Sequence, residues 1–352
     1  MKHIGMTLAV FAGALCADVS AQSQNLTMQI AGKARKYILY APGGLTGNPP
    51  LVYVIHGFNM TAQQEVGLTR MNAVADREKF IVVYPDALPD ANNQQSWDMT
   101  GPNDYGFLLS IIDTVDARYK IDRKRIYVSG FSQGGFMSFQ IGCRYADLVA
   151  AIAPVSGLIN GNCAPKRPVP MKFTFGTNEG FDINTFIQSM NKWVQLNGCN
   201  PAPTVTSPYP PANPNSVVTR LAYSGCKEGA DVVVDTVKGG PHEWPMNTNT
   251  KINNSEEIWA FFKKYSLPAG TSIPRSIGSD RGGLAASYAR GRVRLEGAEA
   301  GARVRVFDYR GRLAAIAEAG DGHFGFRDHP AGLYFIRVSG PERSATARLV
   351  VP

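Results

Sequence analysis

The run RIYVSG at residues 125–130 leads directly into Phe131-Ser132-Gln133-Gly134 and then into the helical pattern FMSFQIG. A strand-like segment that ends in G-x-S-x-G and continues as a helix constrains this chain more than any other feature. It demands a turn so tight that only residues without a Cβ let strand and helix approach each other. The central serine then projects its hydroxyl at the first helical turn, where free N–H groups and the helix dipole favour developing negative charge. With 36 glycines in 352 residues the bare pattern could arise by chance. Its position between a clear strand and a clear helix is what makes it specific.

The surroundings agree with that turn. Short runs of Val, Ile, Tyr and Phe recur at 51–55, 80–84, 125–129, 149–153, 171–175 and 231–237, and two earlier ones at 27–31 and 35–40 read as an antiparallel edge. Helical patterns fall at 62–77, 104–119, 134–145, 183–196 and 255–265. Strands apolar on both faces, alternating with helices, predict an α/β domain with a mostly parallel, doubly wound sheet. Chemistry in such domains sits in loops at the carboxyl ends of the strands.

A nucleophilic serine needs a base, and histidine is the usual one. Of the five histidines, His3 lies at the N-terminus, His56 precedes the serine, and His323 and His329 lie near the C-terminus. His242, in KGGPHEWP after the last strand, is the candidate. The acid is expected in GTNEGFD after the strand MKFTFG, where the candidates are Glu179 and Asp182, the latter also reading as a helix start. Serine, acid, histidine is the chain order of α/β-hydrolases. An oxyanion hole requires two converging N–H groups. Gln133, next after the serine, supplies one, and Phe58, after LVYVIHG, is the favoured second. The alternative for His56-Gly57 is a plain strand exit with His56 as a structural hydrogen-bonder. Trp97, Phe131 and Trp244 are expected around a substrate pocket, while Asp104 and Asp113 read as capping or surface carboxylates.

The ends of the chain carry different information. Lys2 and His3, an apolar run over 4–17 and the small residues Val19-Ser20-Ala21 have the form of a secretory signal over 1–21, too short to span a bilayer. Its removal leaves Cys143, Cys163, Cys199 and Cys226 from an initial five, an even number that reads as two disulfides in an exported protein. Three pairings are possible, and the sequential one is favoured because each pair flanks one local excursion. No Cys/His spacing suggests zinc, and neither metal nor organic cofactor is implied. The net charge of +8 is uneven: residues 270–352 hold 13 Arg, no Lys and 8 acidic residues, a net +5. This shift marks a linker over 269–285 between an α/β domain over 22–268 and a terminal domain over 286–352. The terminal segment's alternating runs predict a small antiparallel β-sandwich. No recognition motif accompanies its charge, so nucleic acid is not an expected partner.

The segments LVYVIHG, NDYGFLLSIIDTVDARYKIDRKRIYVSGFSQGGFMS, GTNE, WVQLNGC and GGPHEWP, in this order, resemble the polyhydroxybutyrate depolymerase-like esterases over about residues 35–265. That group includes the family 1 carbohydrate esterases, namely feruloyl and acetylxylan esterases. The resemblance implies an α/β-hydrolase fold, a Ser–acid–His triad and, in secreted members, disulfides. It places the family's serine on Ser132 and its histidine on His242. The family's H-G-T-x-D acid motif reads here Phe175-Gly176-Thr177-Asn178-Glu179, with Phe for His and Glu for Asp, so the resemblance favours Glu179 and keeps Asp182 as the alternative. The terminal segment resembles sorting-type and basic terminal domains of secreted polysaccharide-degrading enzymes. Together these readings lead to an expected secreted serine esterase acting through an acyl-enzyme on feruloylated or acetylated xylan and its oligosaccharides. Its terminal domain would engage secretion or attachment machinery. A polyhydroxyalkanoate depolymerase and a non-catalytic carbohydrate-binding protein on a hydrolase scaffold are the alternatives.

Overall fold

A computed structural model describes residues 21–30, 32–100 and 102–268, and within the terminal segment 285–289, 291–296, 298, 301–308, 313–320, 322–330, 332–339 and 344–351. All but the last residue of the expected signal and of the expected linker lies outside these residues. The described chain starts with the antiparallel hairpin β1 (Gln22–Ile30) and β2 (Lys33–Ala41). Then follow β3 (Leu51–Ile55), helices α1 (Ala62–Thr69) and α2 (Met71–Glu78), and β4 (Ile81–Pro85). A short hairpin of β5 (Leu88–Pro89) and β6 (Gln95–Ser96) leads to α3 (Pro102–Tyr119), β7 (Ile126–Phe131) and α4 (Gln133–Arg144). Next come β8 (Ala151–Val155), β9 (Met171–Gly176) and α5 (Ile183–Leu196). The strands β10 (Thr204–Thr206), β11 (Val218–Tyr223) and β12 (Val232–Val237) precede α6 (Asn254–Phe262).

Ten of these strands form one sheet in the order β1-β2-β4-β3-β7-β8-β9-β12-β11-β10. The six from β4 to β12 are parallel, and both edges are antiparallel. Strand alternation explains why the central runs are apolar throughout. Leu51, Tyr53 and Ile55 enter a core with Phe107, Phe139, Phe173 and Trp193, beneath α3, α4 and α5. Val52 and Val54 enter a second core on the opposite face with Met71, Val74, Trp259 and Phe262 from α2 and α6. Each large apolar side chain so buried contributes about 1.5–3 kcal/mol. The expected doubly wound α/β architecture is the observed one.

Two local expectations are corrected and one sheet edge is added. The single helix over 62–77 is two helices, broken at Arg70, whose φ of 51° lies in the left-handed region. The hydroxyl of Thr69 donates to Glu65 O, and its carbonyl accepts from Ser255 Oγ, so the turn is anchored from outside the helix. The antiparallel edge β10–β11 was not anticipated, because its strands are short, half-exposed and flank a Pro-rich stretch. Asp104 and Asp113 are neither capping nor surface groups. Asp104 is buried against Arg35 at 2.6 Å, and Asp113 and Asp116 together hold Arg123 at 2.5 and 2.8 Å.

The cysteines pair sequentially, Cys143 with Cys163 and Cys199 with Cys226, across separations of 20 and 27 residues. Loops of that size are restrained by roughly 3–4 kcal/mol on the chain-entropy model. In the terminal segment, β13 (Ala285–Ala289), β14 (Arg292–Glu296), β15 (Ala302–Asp308) and β16 (Leu313–Ala319) are followed by β17 (His323–Gly325), β18 (Gly332–Ser339) and β19 (Ser344–Val351). They form two small antiparallel sheets, β13-β14-β17 and β16-β15-β18-β19. Val293, Val304, Ile336 and Leu349 fill the core they share. Among the described residues no helix is long and apolar enough to cross a membrane.

Candidate active site

At the end of β7, Ser132 adopts φ 54° and ψ −118°, a region that costs a non-glycine residue roughly 1–3 kcal/mol. The conformation is held from both sides, since Ser132 N donates to Val155 O at 2.9 Å and Ser132 O accepts from Phe136 N at 3.0 Å. Both flanking glycines are sterically required. A Cβ on Gly134 would lie 1.8 Å from Ile55 O, and one on Gly130 would lie 2.5 Å from Gly134 O. These contacts bring β7 and α4 against the end of β3, so the half-buried Ser132 sits beside the loop that carries Gly57 and Phe58.

The histidine and acid loops converge on the same end of the sheet. Thr177 N and Asn178 N, after β9, donate to Val237 O and Gly240 O, which ties the two loops together. Gly176 fits only as glycine there, since its Cβ would lie 2.1 Å from Gly240 O. Across this junction His242 Nδ1 bonds Glu179 Oε2 at 2.5 Å. A carboxylate only accepts, so Nδ1 donates this bond, and in the neutral ring Nε2 is then the nitrogen that can accept a proton. Glu179 is 5% exposed, and its other oxygen accepts from Ser156 Oγ at 2.6 Å and Gly176 N at 2.7 Å. Asp182 is elsewhere: it is exposed and caps α5 by accepting from Asn184 N at 3.0 Å. The ring of Phe131, adjacent to Ser132, stands 4.8 Å from the His242 ring.

Gln133 opens α4, so its N–H belongs to the first turn, where no helical carbonyl can accept it. Its side chain ties α4 to the β6 region, donating to Ser96 Oγ at 3.0 Å and accepting from Trp97 N at 3.0 Å. The loop bearing Phe58 is fixed to the same hairpin through Asn59 N and Gln95 O at 2.8 Å. His56 is fully buried, with Nδ1 donating to Gly57 O at 2.7 Å and Nε2 accepting from Ala87 N at 3.0 Å. Burial pushes its pKa below the usual imidazole range, so it is a neutral structural residue.

The expected pocket residues divide. Phe131 lies against His242, whereas Trp97 and Trp244 are each 3% exposed and sit within the packed cores. Their indole N–H groups are bonded internally, to His56 O at 3.0 Å and Ser255 Oγ at 3.1 Å. The exposed aromatics at the site are instead Phe58, 46% exposed, and Phe181, 63% exposed with its ring 5.5 Å from that of His242. Sequence reasoning missed Phe181 and Ser156. An exposed-looking aromatic in the acid loop, GFD, was the available signal for the first. For Ser156, which has φ 50°, the signal was a small polar residue directly after a strand.

Residues 35–167 match the family model described as esterase PHB depolymerase. The chain is 29% identical over 254 residues to a bifunctional acetylxylan esterase/xylanase of Neocallimastix patriciarum, covering 71% of this chain and 36% of that protein. It is also 29% identical over 264 residues to feruloyl esterase D of Neurospora crassa, covering 69% of this chain and 86% of that one. Thus the chain spans about a third of the first relative's length and most of the second's. The solved acetyl xylan esterase from Aspergillus awamori superposes with a TM-score of 0.55 at 19% identity, covering 69% of this chain and 99% of that structure. That likeness supports the same fold. Over residues 35–167 the chain thus resembles the esterase PHB depolymerase family, and its fold is that of an α/β-hydrolase esterase.

Proposed function

We propose that this protein is an exported serine esterase that removes feruloyl or acetyl groups from xylan. The observation that carries the reading is the bond between the buried Glu179 and the half-exposed His242, beside a strained serine at the head of α4. Ser132 Oγ attacks the ester carbonyl while His242 Nε2 takes its proton, and Glu179 stabilises the imidazolium that forms. The N–H groups of Gln133 and Phe58 hold the tetrahedral oxyanion. Collapse expels the sugar alkoxide, which receives the proton from His242 and leaves an acyl-serine. Water, deprotonated by the same imidazole, then attacks the acyl carbonyl and releases the acid. No cofactor takes part.

The esterases among its relatives support carbohydrate esters as substrates. The exposed rings of Phe58 and Phe181 favour feruloyl over acetyl, because a planar aromatic acyl group can stack on them. Two disulfides and the signal-like first 21 residues support export. The Arg-rich terminal domain we assign to sorting or attachment rather than to catalysis. Hydrolysis of methyl ferulate, acetylated xylan and polyhydroxybutyrate, compared side by side, tests the substrate. Ser132→Ala should abolish all hydrolysis and labelling by a fluorophosphonate. Turnover that survives Ser132→Ala would overturn the esterase reading, and an unlabelled wild-type protein would leave only a binding role.

A further inference from the structure

Residues 95–97 touch both walls of the proposed oxyanion hole. On the side of the loop after β3, Trp97 Nε1 donates to His56 O at 3.0 Å and Gln95 O accepts from Asn59 N at 2.8 Å, so the two bonds bracket Gly57 and Phe58. On the side of α4, Ser96 Oγ accepts from Gln133 Nε2 and Trp97 N donates to Gln133 Oε1, both at 3.0 Å. One short segment thus holds the backbone around one donor and the side chain of the other. The proton transfers between Ser132, His242 and Glu179 use none of these bonds.

The segment is itself held at both ends. β6 pairs antiparallel with β5, and Asp90 closes their turn, its Oδ1 accepting from Asn92 N at 2.8 Å and Gln94 N at 3.0 Å. Beyond Trp97, Asp98 N donates to Asp104 Oδ2 at 2.6 Å, and Asp104 pairs with the buried Arg35, whose guanidinium lies 4.2 Å from the centre of the Phe107 ring. Arg35 Nη2 in turn donates to Asp86 O at 3.3 Å, and the adjoining Ala87 N donates to His56 Nε2 at 3.0 Å. A buried charge pair adds little net stability, because desolvation offsets its attraction. Its directional bonds do fix where the hairpin stands. Oxyanion donors act by being in place before charge develops, within about 2.7–3.1 Å of the transition-state oxygen. A brace that sets their separation therefore acts on the transition state and leaves ground-state binding alone.

We infer that residues 95–97 form a clasp that sets the spacing of the Phe58 and Gln133 donors, with Ser96 as a positioning residue acting through Gln133. The inference rests on the esterase reading above. In Ser96→Ala, Gln133 Nε2 loses its acceptor, and kcat for para-nitrophenyl acetate should fall about tenfold with KM and the thermal midpoint nearly unchanged. Phenylboronic acid, which forms a tetrahedral anionic adduct on a serine oxygen, should bind Ser96→Ala more weakly by the same factor. Ser96→Thr restores a hydroxyl and should recover most of both losses. A kcat within about twofold of the wild type in Ser96→Ala, or a lower kcat with unchanged boronate affinity, would overturn the clasp and leave the esterase reading intact. A wild-type protein that neither hydrolyses the ester nor binds the boronate would overturn the esterase reading and the clasp with it.

Discussion

Two buried glutamates, in the loop after β9 and in helix α1, show opposite ways of handling a carboxyl group away from water. Glu179 accepts three hydrogen bonds, from His242, Ser156 and Gly176. Glu65 is fully buried, and neither of its side-chain oxygens has a hydrogen-bond partner among the described residues. The first site is organised around a negative charge. The second tolerates only the neutral acid, and burial holds the Glu65 pKa well above its ordinary value of 4.5. One carboxyl is therefore equipped to stabilise a cation next to it, and the other only weakens the fold when it ionises.

The largest expected effect comes from breaking the first site. Glu179→Gln leaves the shape but offers the wrong group to His242 Nδ1, and kcat for ester hydrolysis should fall by roughly 10³–10⁴-fold. Steady-state kinetics on a small ester measure this, and a fall of less than tenfold would remove Glu179 from the mechanism. The complementary change at the second site should help. Glu65→Met replaces an unpartnered carboxyl by an apolar chain of similar length and should stabilise the protein by about 1–3 kcal/mol at neutral pH. Because the folded-state pKa of Glu65 is raised, the wild type loses stability as pH climbs above 4.5, and the advantage of Glu65→Met grows in the same direction. Thermal melts of both proteins between pH 4 and 8 would show a widening gap, and a constant gap would refute ionisation as the cause. His56 sets the opposite limit: its pKa is lowered by burial, so stability also falls as pH drops below 6.5.

The contrast between these glutamates also marks what could be read in the sequence. The strands were legible because their apolar runs are continuous, and the turn at Ser132 because Gly130 and Gly134 meet backbone that no Cβ could approach. His242 emerged from the order of histidines along the chain. The meetings between distant segments were not legible. Arg35 finds Asp104 69 positions later, and the carbonyl of Thr69 meets Ser255 186 positions later, so neither the buried ion pair nor the broken helix has a local signal. Trp97 and Trp244 looked like pocket walls because a tryptophan near a strand end has the same local context whether it faces a cleft or the core. Glu65 falls on a helix whose neighbours Gln63 and Gln64 are exposed, which gives no hint that it is sealed inside.

Ser156 offers a finer cut through the first site. It holds the oxygen of Glu179 that does not face His242, so it is a positioning residue and touches no reacting atom. Ser156→Ala removes one of three hydrogen bonds, about 1–1.5 kcal/mol, and should lower kcat about tenfold with KM nearly constant. A matching rise in KM would indicate a distorted pocket instead. Substitution by Thr, which restores a hydroxyl, should recover part of the loss.

The smallest effect is expected three residues beyond Glu179. Asp182 is the only other carboxylate in this loop, but its Oδ1 accepts from the backbone and the side chain of Asn184, both at 3.0 Å, and Thr185 Oγ1 bonds its carbonyl. These are the contacts of a helix cap. Asparagine caps about as well as aspartate, so Asp182→Asn should change stability by less than about 0.5 kcal/mol, whereas Asp182→Ala should cost about 1 kcal/mol. Neither variant should alter kcat more than about twofold, because neither touches the carboxylate that orients His242. The comparison with Glu179→Gln is decisive because the two carboxylates share one loop. Any general disturbance of that loop would reach both, and only loss of the group bonded to His242 Nδ1 separates a change of thousands from a change of two. A large loss of kcat in Asp182→Asn at unchanged thermal stability would transfer the role of acid to Asp182 and require the loop to rearrange when substrate binds.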